Sequence, residues 1–214
     1  MSKFIQLFIV PVLLWTFFPS VFAEKEKTFD TECYLVVDVS GSMYRKANMV
    51  KPALRHVIAS LKDGDGVSIV RFGTYPKIRK DECGRISPVF RSELNLAVEK
   101  IYEGNSSLLS NTDFEAVISV LLQRVASSSA KTKKVIFFSD FVNDVPIRGV
   151  SPISTDLLSE WEQQISSITG QSIMEIDAYV LNSKEEQGNS LSVLRRLFEN
   201  QGVLFREHRM DKVR

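Results

Sequence analysis

Carboxylate and hydroxyl side chains follow two apolar runs and precede a predicted helix. Asp38, Ser40 and Ser42 form the pattern Asp-x-Ser-x-Ser, Thr112 comes just before a helical segment, and Asp140 follows the second apolar run. Two carboxylates and three hydroxyls are hard oxygen donors that suit Mg²⁺ or Mn²⁺, and no imidazole or thiolate is placed among them. An ion held by so few charges can accept one more oxygen, such as a carboxylate of a partner protein. This is the chemistry of a binding device rather than of a reaction centre.

The order of strands and helices predicts where these five side chains lie. Apolar runs at 33–37 and 135–138 are typical of strands buried on both faces, and helical spacing of apolar residues covers 43–62 and 113–125. Alternating strands and helices favour a mostly parallel α/β sheet, whose ligands bind beyond the carboxyl ends of the strands. The remaining predicted elements are strands at Val67–Phe72, Ile86–Phe90, Ile173–Leu181 and Val203–Phe205 and helices at 92–102, 157–168 and 191–198.

The five residues occur in an order and context that resemble a known family. Asp38-x-Ser40-x-Ser42, then Thr112, then Asp140 is similar to the metal-ion-dependent adhesion site (MIDAS) of a von Willebrand factor type A (vWA) domain. The resemblance implies a Rossmann-like fold with a mostly parallel six-stranded sheet, one antiparallel edge strand and helices on both faces. It also implies that Ser40 and Ser42 bind the metal directly, that Thr112 does so in one state of the site, and that Asp38 and Asp140 act largely through water.

Three positions beside the metal ligands depart from the pattern common in the family. Many members have two glycines before the threonine, where Ser110-Asn111 stands here, and a glycine after the last aspartate, where Phe141 stands here. These changes alter the loop around the metal. Phe141, with Val142 and Val145, either forms an apolar contact surface for a partner or packs under the long loop predicted at 141–154. The antiparallel edge strand of the family is assigned to Ile86–Phe90.

The N-terminus predicts export. Lys3 precedes an uncharged apolar stretch, Phe4 to Ala23, which a charged segment follows, and this pattern is typical of a signal peptide cleaved after Ala23. An uncleaved membrane anchor is the alternative, since twenty apolar residues just span a bilayer. We therefore expect a secreted or periplasmic protein with a signal peptide at 1–23, a leader at 24–31, a vWA-like domain at 32–206 and a C-terminal tail at 207–214.

Composition excludes several classes of protein. The 214 residues contain 27 basic and 26 acidic side chains, with 44% apolar residues, which is ordinary for one folded domain. A disordered chain, a collagen-like repeat and a polytopic membrane protein are thereby excluded. The near-zero net charge of +1 gives no reason to expect nucleic acid as a partner. We expect a protein ligand that supplies an acidic side chain, and no small-molecule substrate.

The two cysteines and one sequon bear on export. Cys33 and Cys83 would meet an oxidising compartment, but Cys33 begins a strand away from the metal edge, whereas Cys83 is expected in a loop at that edge. A strand of six residues spans roughly 17 Å, and bridged Cα atoms lie within about 7 Å, so we do not expect a disulfide. The sequon at Asn105 matters only in a host that glycosylates secreted proteins.

Three other functions can be weighed against the pattern. A Mg²⁺-dependent phosphatase would use Asp38 as its nucleophile, but Ser40 stands where such enzymes carry their second aspartate and cannot transfer the proton. A serine hydrolase lacks both the nucleophile elbow and a suitably placed histidine. A vWA-like domain that binds partners without metal is the remaining alternative. This alternative is disfavoured because two neighbouring carboxylates repel each other unless a cation or a proton neutralises them. We expect no enzymatic activity.

Overall fold

The computed structural model describes residues 30–103, 111–145, 149–150, 153–181 and 189–210. The strands are β1 (Thr31–Asp38), β2 (Gly66–Phe72), β3 (Lys77–Arg85), β4 (Thr132–Ser139), β5 (Asp144–Val145), β6 (Gly149–Val150), β7 (Ile173–Val180) and β8 (Leu204–Arg209). The helices are α1 (Gly41–Tyr44), α2 (Ala47–Ser60), α3 (Pro88–Glu99), α4 (Phe114–Ala126), α5 (Thr155–Thr169) and α6 (Asn189–Glu199).

Six strands form the main sheet in the order β3-β2-β1-β4-β7-β8. Every neighbouring pair is parallel except β2 and β3, which are antiparallel at the edge. The predicted fold class is therefore confirmed: a mostly parallel α/β sheet with one antiparallel edge strand. Because β1, β2 and β4 are adjacent and parallel, the loops after all three emerge at the same edge of the sheet.

Apolar cores lie on both faces of this sheet. On one face Leu35 and Phe138 pack with Leu54 of α2 and Val98 of α3. On the other face, Val36 and Phe137 pack with residues of α4, α5 and α6, among them Phe114, Trp161 and Leu194. Alternate residues of β1 enter opposite cores, which explains why its sequence is a continuous apolar run rather than an alternating one.

The antiparallel edge strand is not Ile86–Phe90, as the sequence predicted, but β3. Residues 88–90 instead form the first turn of α3. Ser87 caps this helix by accepting a hydrogen bond from Phe90 N at 3.2 Å, and Pro88 occupies its first turn, where proline needs no donor. The sequence of β3 is mostly polar and lacks the apolar run of the buried strands. This is possible because β3 is an edge strand, which pairs with a neighbour on one side only.

Several predicted boundaries also shift. The helix expected over 43–62 is divided into α1 and α2, with Pro52 inside α2. The last strand runs to Arg209, so that residues 207–209 pair with β7 although the sequence assigned them to a tail, and Thr31 of the predicted leader belongs to β1. The proposed signal peptide, Asn105 and Ser110 lie outside the described residues. Among the helices described, none has the length and apolar character needed to cross a membrane.

Both cysteines are free thiols. The sequence analysis argued against a disulfide because it placed the two cysteines at opposite edges of the sheet, and this placement is wrong. Antiparallel β3 places Cys83 opposite Ser68, while parallel β1 places Cys33 opposite the neighbouring Val67. The two cysteines therefore lie at the same end of the sheet. Strand β2 separates them, however, and two inter-strand spacings amount to about 10 Å, which is beyond the reach of a disulfide.

Candidate metal site

Hydrogen bonds join the first and last predicted ligand segments. Ser42 Oγ donates to Asp140 Oδ2 at 2.7 Å across a sequence separation of 98 residues, and Ser40 Oγ lies 3.2 Å from Ser42 Oγ. The segment after β1 and the segment after β4 therefore meet at the carboxyl edge of the sheet. Ser40, Ser42 and Asp140 form one connected group of oxygen atoms.

Asp38 forms the buried floor of the site. Its side chain has no solvent exposure, and both carboxylate oxygens are bonded: Oδ1 accepts from Ser40 N at 2.9 Å and Oδ2 accepts from Ser139 Oγ at 2.6 Å. The hydroxyl of Tyr102 donates to the Asp38 carbonyl oxygen at 3.1 Å. The first two bonds fix the carboxylate between Ser40 and Ser139, and the third holds the backbone at the end of β1.

The short helix α1 orients the two serines. Ser40 is its N-cap residue, and the Ser40 carbonyl oxygen accepts from Met43 N at 3.1 Å and Tyr44 N at 3.2 Å. Met43 is fully buried and anchors the turn in the core. The Asp-x-Ser-x-Ser spacing therefore places one serine before the helix and one inside its first turn.

Backbone hydrogen bonds bring Thr112 to the same edge. Thr112 and Asp144 exchange two of them, at 2.9 and 2.8 Å, and Asp113 N donates to the carbonyl oxygen of Gly73 at 2.8 Å. The segment before α4 is thus tied both to the loop after β4 and to the loop after β2. Thr112 is buried, and among the described residues its hydroxyl makes no hydrogen bond to the other four predicted ligands.

Asp140 has a cationic neighbour that the sequence analysis missed. Lys46 Nζ lies 3.2 Å from Asp140 Oδ2, the oxygen that also accepts from Ser42. Asp140 Oδ1 accepts from Val142 N at 3.3 Å. Lys46 carries no signal in the sequence beyond its position four residues after Ser42, because its role depends on how α1 and α2 are joined.

Phe141 adopts the backbone conformation that favours glycine. Its φ is 59°, a left-handed value that glycine adopts without strain and other residues rarely adopt. The ring is buried and stacks on Phe114 with centroids 5.5 Å apart. Phe141 is therefore part of the core, and it is not available as a contact surface for a partner.

The electrostatics of the site call for a cation. Burial, reinforced by the negative charge of Asp140, raises the pKa of Asp38 to about 7, although hydrogen bonds from Ser139 and Ser40 oppose the shift. Two carboxylates so close together are costly when both are charged and nothing compensates them. The site thus favours either a positive ion or a proton.

The donor chemistry fits a hard divalent ion. No group of three or more histidine, cysteine, aspartate or glutamate side chains that could hold a metal occurs in the described part of the chain. An ion here would be held by two carboxylates and by hydroxyls, which is the ligand preference of Mg²⁺ and Mn²⁺ rather than of zinc or copper. Asp38, Ser40, Ser42, Thr112 and Asp140 are the residues that would hold it, and such an ion would supply an electrophilic position for an oxygen of a ligand.

Two further residues of the site were not singled out from the sequence. Ser139 orients the Asp38 carboxylate and also accepts from Phe141 N at 2.9 Å, so it connects β1 to the turn after β4. Tyr102, which follows α3, supports the end of β1. A polar residue inside the otherwise apolar end of β4 was the available signal for Ser139, and Tyr102 gave none.

The parallel sheet covered on both faces, with oxygen donors at its carboxyl edge, defines the class of protein. The family model of the von Willebrand factor type A domain matches residues 33–143, just over half of the chain. The chain therefore belongs to the von Willebrand factor type A domain family. Among curated proteins, none matches it.

Solved structures show the same fold at low sequence identity. A von Willebrand factor type A protein from Catenulispora acidiphila superposes with a TM-score of 0.57 at 16% identity, over 85% of this chain and 39% of that one. The PilB minor pilin of Streptococcus sanguinis gives a TM-score of 0.58 at 12% identity, over 85% and 57%.

A third structure, proximal thread matrix protein 1 of the mussel byssus with a zinc-occupied MIDAS motif, gives a TM-score of 0.53 at 14% identity, over 88% of this chain and 44% of that one. This chain spans less than two thirds of the length of each of these three neighbours. At such identities, the likeness extends to the fold alone.

Proposed function

We propose that this protein is an exported vWA module that binds a protein partner through a divalent ion, Mg²⁺ or Mn²⁺. The observation that carries the proposal is the hydrogen bond from Ser42 to Asp140, because it brings the Asp-x-Ser-x-Ser segment and the second aspartate around one point. Asp38, Ser40, Ser42, Thr112 and Asp140 hold the ion. The partner completes its coordination with an acidic side chain, and adhesion or assembly of an extracytoplasmic complex is the use.

Neighbours of the same fold support this use. One is a minor pilin and another is a byssal matrix protein with a metal-occupied MIDAS motif. The apolar segment from Phe4 to Ala23 supports export, with cleavage after Ala23.

Binding is favoured over catalysis by the surroundings of Asp38. The carboxylate is fully buried, and each of its oxygens already accepts a hydrogen bond. Ser40 stands where such a phosphatase carries its acid/base aspartate, and a hydroxyl cannot perform that proton transfer, which argues against the phosphatase alternative. Assays with p-nitrophenyl phosphate should show no Mg²⁺-dependent turnover, and turnover that is lost in Asp38→Asn would overturn this part of the proposal.

Metal binding is tested by titration calorimetry with MgCl₂. The wild-type protein should bind Mg²⁺, and Asp140→Ala should not, because it removes the carboxylate that links the two segments. Asp156→Ala is the matched control: Asp156 is an exposed aspartate at the start of α5, and its loss should leave binding unchanged. An equal response of wild type and Asp140→Ala would contradict the site.

Partner binding is tested by affinity capture with and without chelator. A partner bound through the ion should be retained with Mg²⁺ and released by EDTA, and immobilised Asp140→Ala should not retain it. A partner held equally in EDTA would favour the second candidate function, a vWA domain that binds without metal. The ion pair between Lys46 and Asp140 is the observation that favours this second candidate, because it gives the site a positive charge of its own.

A further inference from the structure

The ammonium group of Lys46 lies next to the candidate metal ligands. Its Nζ lies 3.2 Å from Asp140 Oδ2, and the same oxygen accepts a hydrogen bond from Ser42 Oγ at 2.7 Å. The Asp140 side chain is only 3% exposed, whereas Lys46 keeps 25% of its side chain exposed. A lysine therefore approaches the buried carboxylate from the solvent side.

In the metal-free protein, a positive charge at this point reduces the electrostatic repulsion between two carboxylates. Asp38 is fully buried and Asp140 nearly so, and the two carboxylates repel each other at the carboxyl edge. Without a cation, the site would have to hold two uncompensated charges in a medium that solvates them poorly. Lys46 offsets part of that cost.

The lysine can leave without disturbing the helices that hold it. Its backbone is fixed at the start of α2, where its nitrogen donates to the Met43 carbonyl at 2.9 Å and its carbonyl accepts from Met49 N at 2.9 Å and Val50 N at 3.1 Å. The side chain beyond this point is a flexible four-carbon stem with its tip near solvent. Rotation of the stem would release Asp140 while α1 and α2 stay in place.

We propose that Lys46 is a tethered counter-ion that holds the site together when it is empty and must be displaced when a divalent ion binds. This inference rests on the proposed metal binding and deepens it, because it names the residue that sets how weakly the ion is held. A divalent ion and an ammonium cannot share the same carboxylate oxygen without strong repulsion. The intrinsic affinity of the oxygen ligands is therefore reduced by the competition of Lys46.

Titration calorimetry with MgCl₂ on the purified protein tests the competition. Lys46→Met keeps the length of the stem and removes the charge, so it should bind Mg²⁺ roughly tenfold more tightly than wild type. Lys46→Arg should bind more weakly, because a guanidinium pairs with a carboxylate through two hydrogen bonds. Lys51→Met is the matched control, since Lys51 lies on the same helix with 24% side-chain exposure but pairs with Glu99. Its Mg²⁺ affinity should not change.

Thermal unfolding in EDTA supplies a second readout. Without metal, Lys46→Met should unfold a few degrees below wild type, because its carboxylates have lost their counter-ion. Saturating Mg²⁺ should remove that difference. A residue that was only structural would lower the unfolding temperature equally with and without metal, and this result would overturn the inference.

The outcomes separate this inference from the proposed function. Equal Mg²⁺ affinity of wild type, Lys46→Met and Lys46→Arg would overturn the role of Lys46 and leave the metal site standing. Absence of Mg²⁺ binding in wild type and in every variant would overturn both. Binding by Lys46→Met but not by wild type would support the counter-ion and overturn the proposed function, because Lys46 would then replace the metal permanently.

Discussion

At the scale of single residues, Asp38 combines complete burial with a nearby like charge. These raise its pKa to about 7, well above the value of 3.8 expected for an unfolded chain. Because the folded-state pKa is the higher one, the protonated carboxyl stabilises the fold. This contribution is complete below about pH 4 and is lost as the pH rises through 7.

Asp38 should therefore make the metal-free protein less stable at pH 8 than at pH 5. Denaturant unfolding in EDTA measures the effect, which for one proton cannot exceed about 1.4 kcal/mol per pH unit. Other groups also titrate in this range, so the comparison is with Asp38→Asn, whose amide cannot ionise. The variant should lose less stability between pH 5 and pH 8 than wild type does, and an identical loss would contradict the assignment.

At the scale of elements, the start of α3 depends on one hydroxyl. Ser87 Oγ accepts from Phe90 N at 3.2 Å and satisfies one of the donors that open the helix. Ser87→Ala should lower the free energy of unfolding by about 1 kcal/mol, whereas Ser87→Asn, which can also cap, should be close to neutral. Equal stability of wild type and Ser87→Ala in urea would show that the cap contributes nothing.

The edge strand β3 is tied to β2 by a buried ion pair. The guanidinium of Arg71 bonds the Glu82 carboxylate, with 8% and 1% of the two side chains exposed, and also donates to the Ile101 carbonyl oxygen at 3.3 Å. Glu82→Ala should cost about 3–5 kcal/mol, because it leaves a buried guanidinium without its carboxylate.

The neighbouring pair of Arg79 and Asp81 is the control for this edge. The two side chains lie 2.9 Å apart but are exposed by 49% and 64%, so water screens their attraction. Asp81→Ala should therefore leave the urea midpoint close to that of the wild type. Similar losses in urea unfolding for Glu82→Ala and Asp81→Ala would contradict the importance of burial.

At the scale of the whole molecule, Phe141 couples the candidate site to the core. Its ring lies 5.5 Å from Phe114 of α4 and 6.1 Å from Phe137 of β4, while its backbone forms the turn directly after Asp140. The loop that positions the second carboxylate is thus held by the packing of a helix against the sheet.

Substitution of Phe141 separates packing from backbone strain. Phe141→Ala should cost about 3–5 kcal/mol through the lost ring. Phe141→Gly removes the same ring, but glycine adopts a φ of 59° without strain, so it should be more stable than the alanine variant by roughly 0.5–1 kcal/mol. Chemical denaturation of the two variants measures the difference, and a less stable glycine variant would contradict the strain.

The covered core strands and the positions of the polar residues could be predicted from the sequence. The runs at 33–37 and 135–138 are apolar at every position because both faces of β1 and β4 are covered, and this pattern is local. Once these strands are taken as parallel neighbours, the residues after them must lie at one edge. Thr112 could be predicted as a ligand because it stands just before a helical segment in the same alternation of strands and helices.

The tertiary structure alone decided the rest, because the deciding contacts join residues far apart in the chain. Strand β3 is polar and exists through its pairing with β2, while the stretch at 86–90, which looked like a strand, begins a helix. Lys46 reaches Asp140 only because α1 and α2 are joined as they are, and Ser139 meets Asp38 only because β1 and β4 are neighbours. A local sequence pattern records the burial of a segment, but it does not record which distant charge will lie beside it.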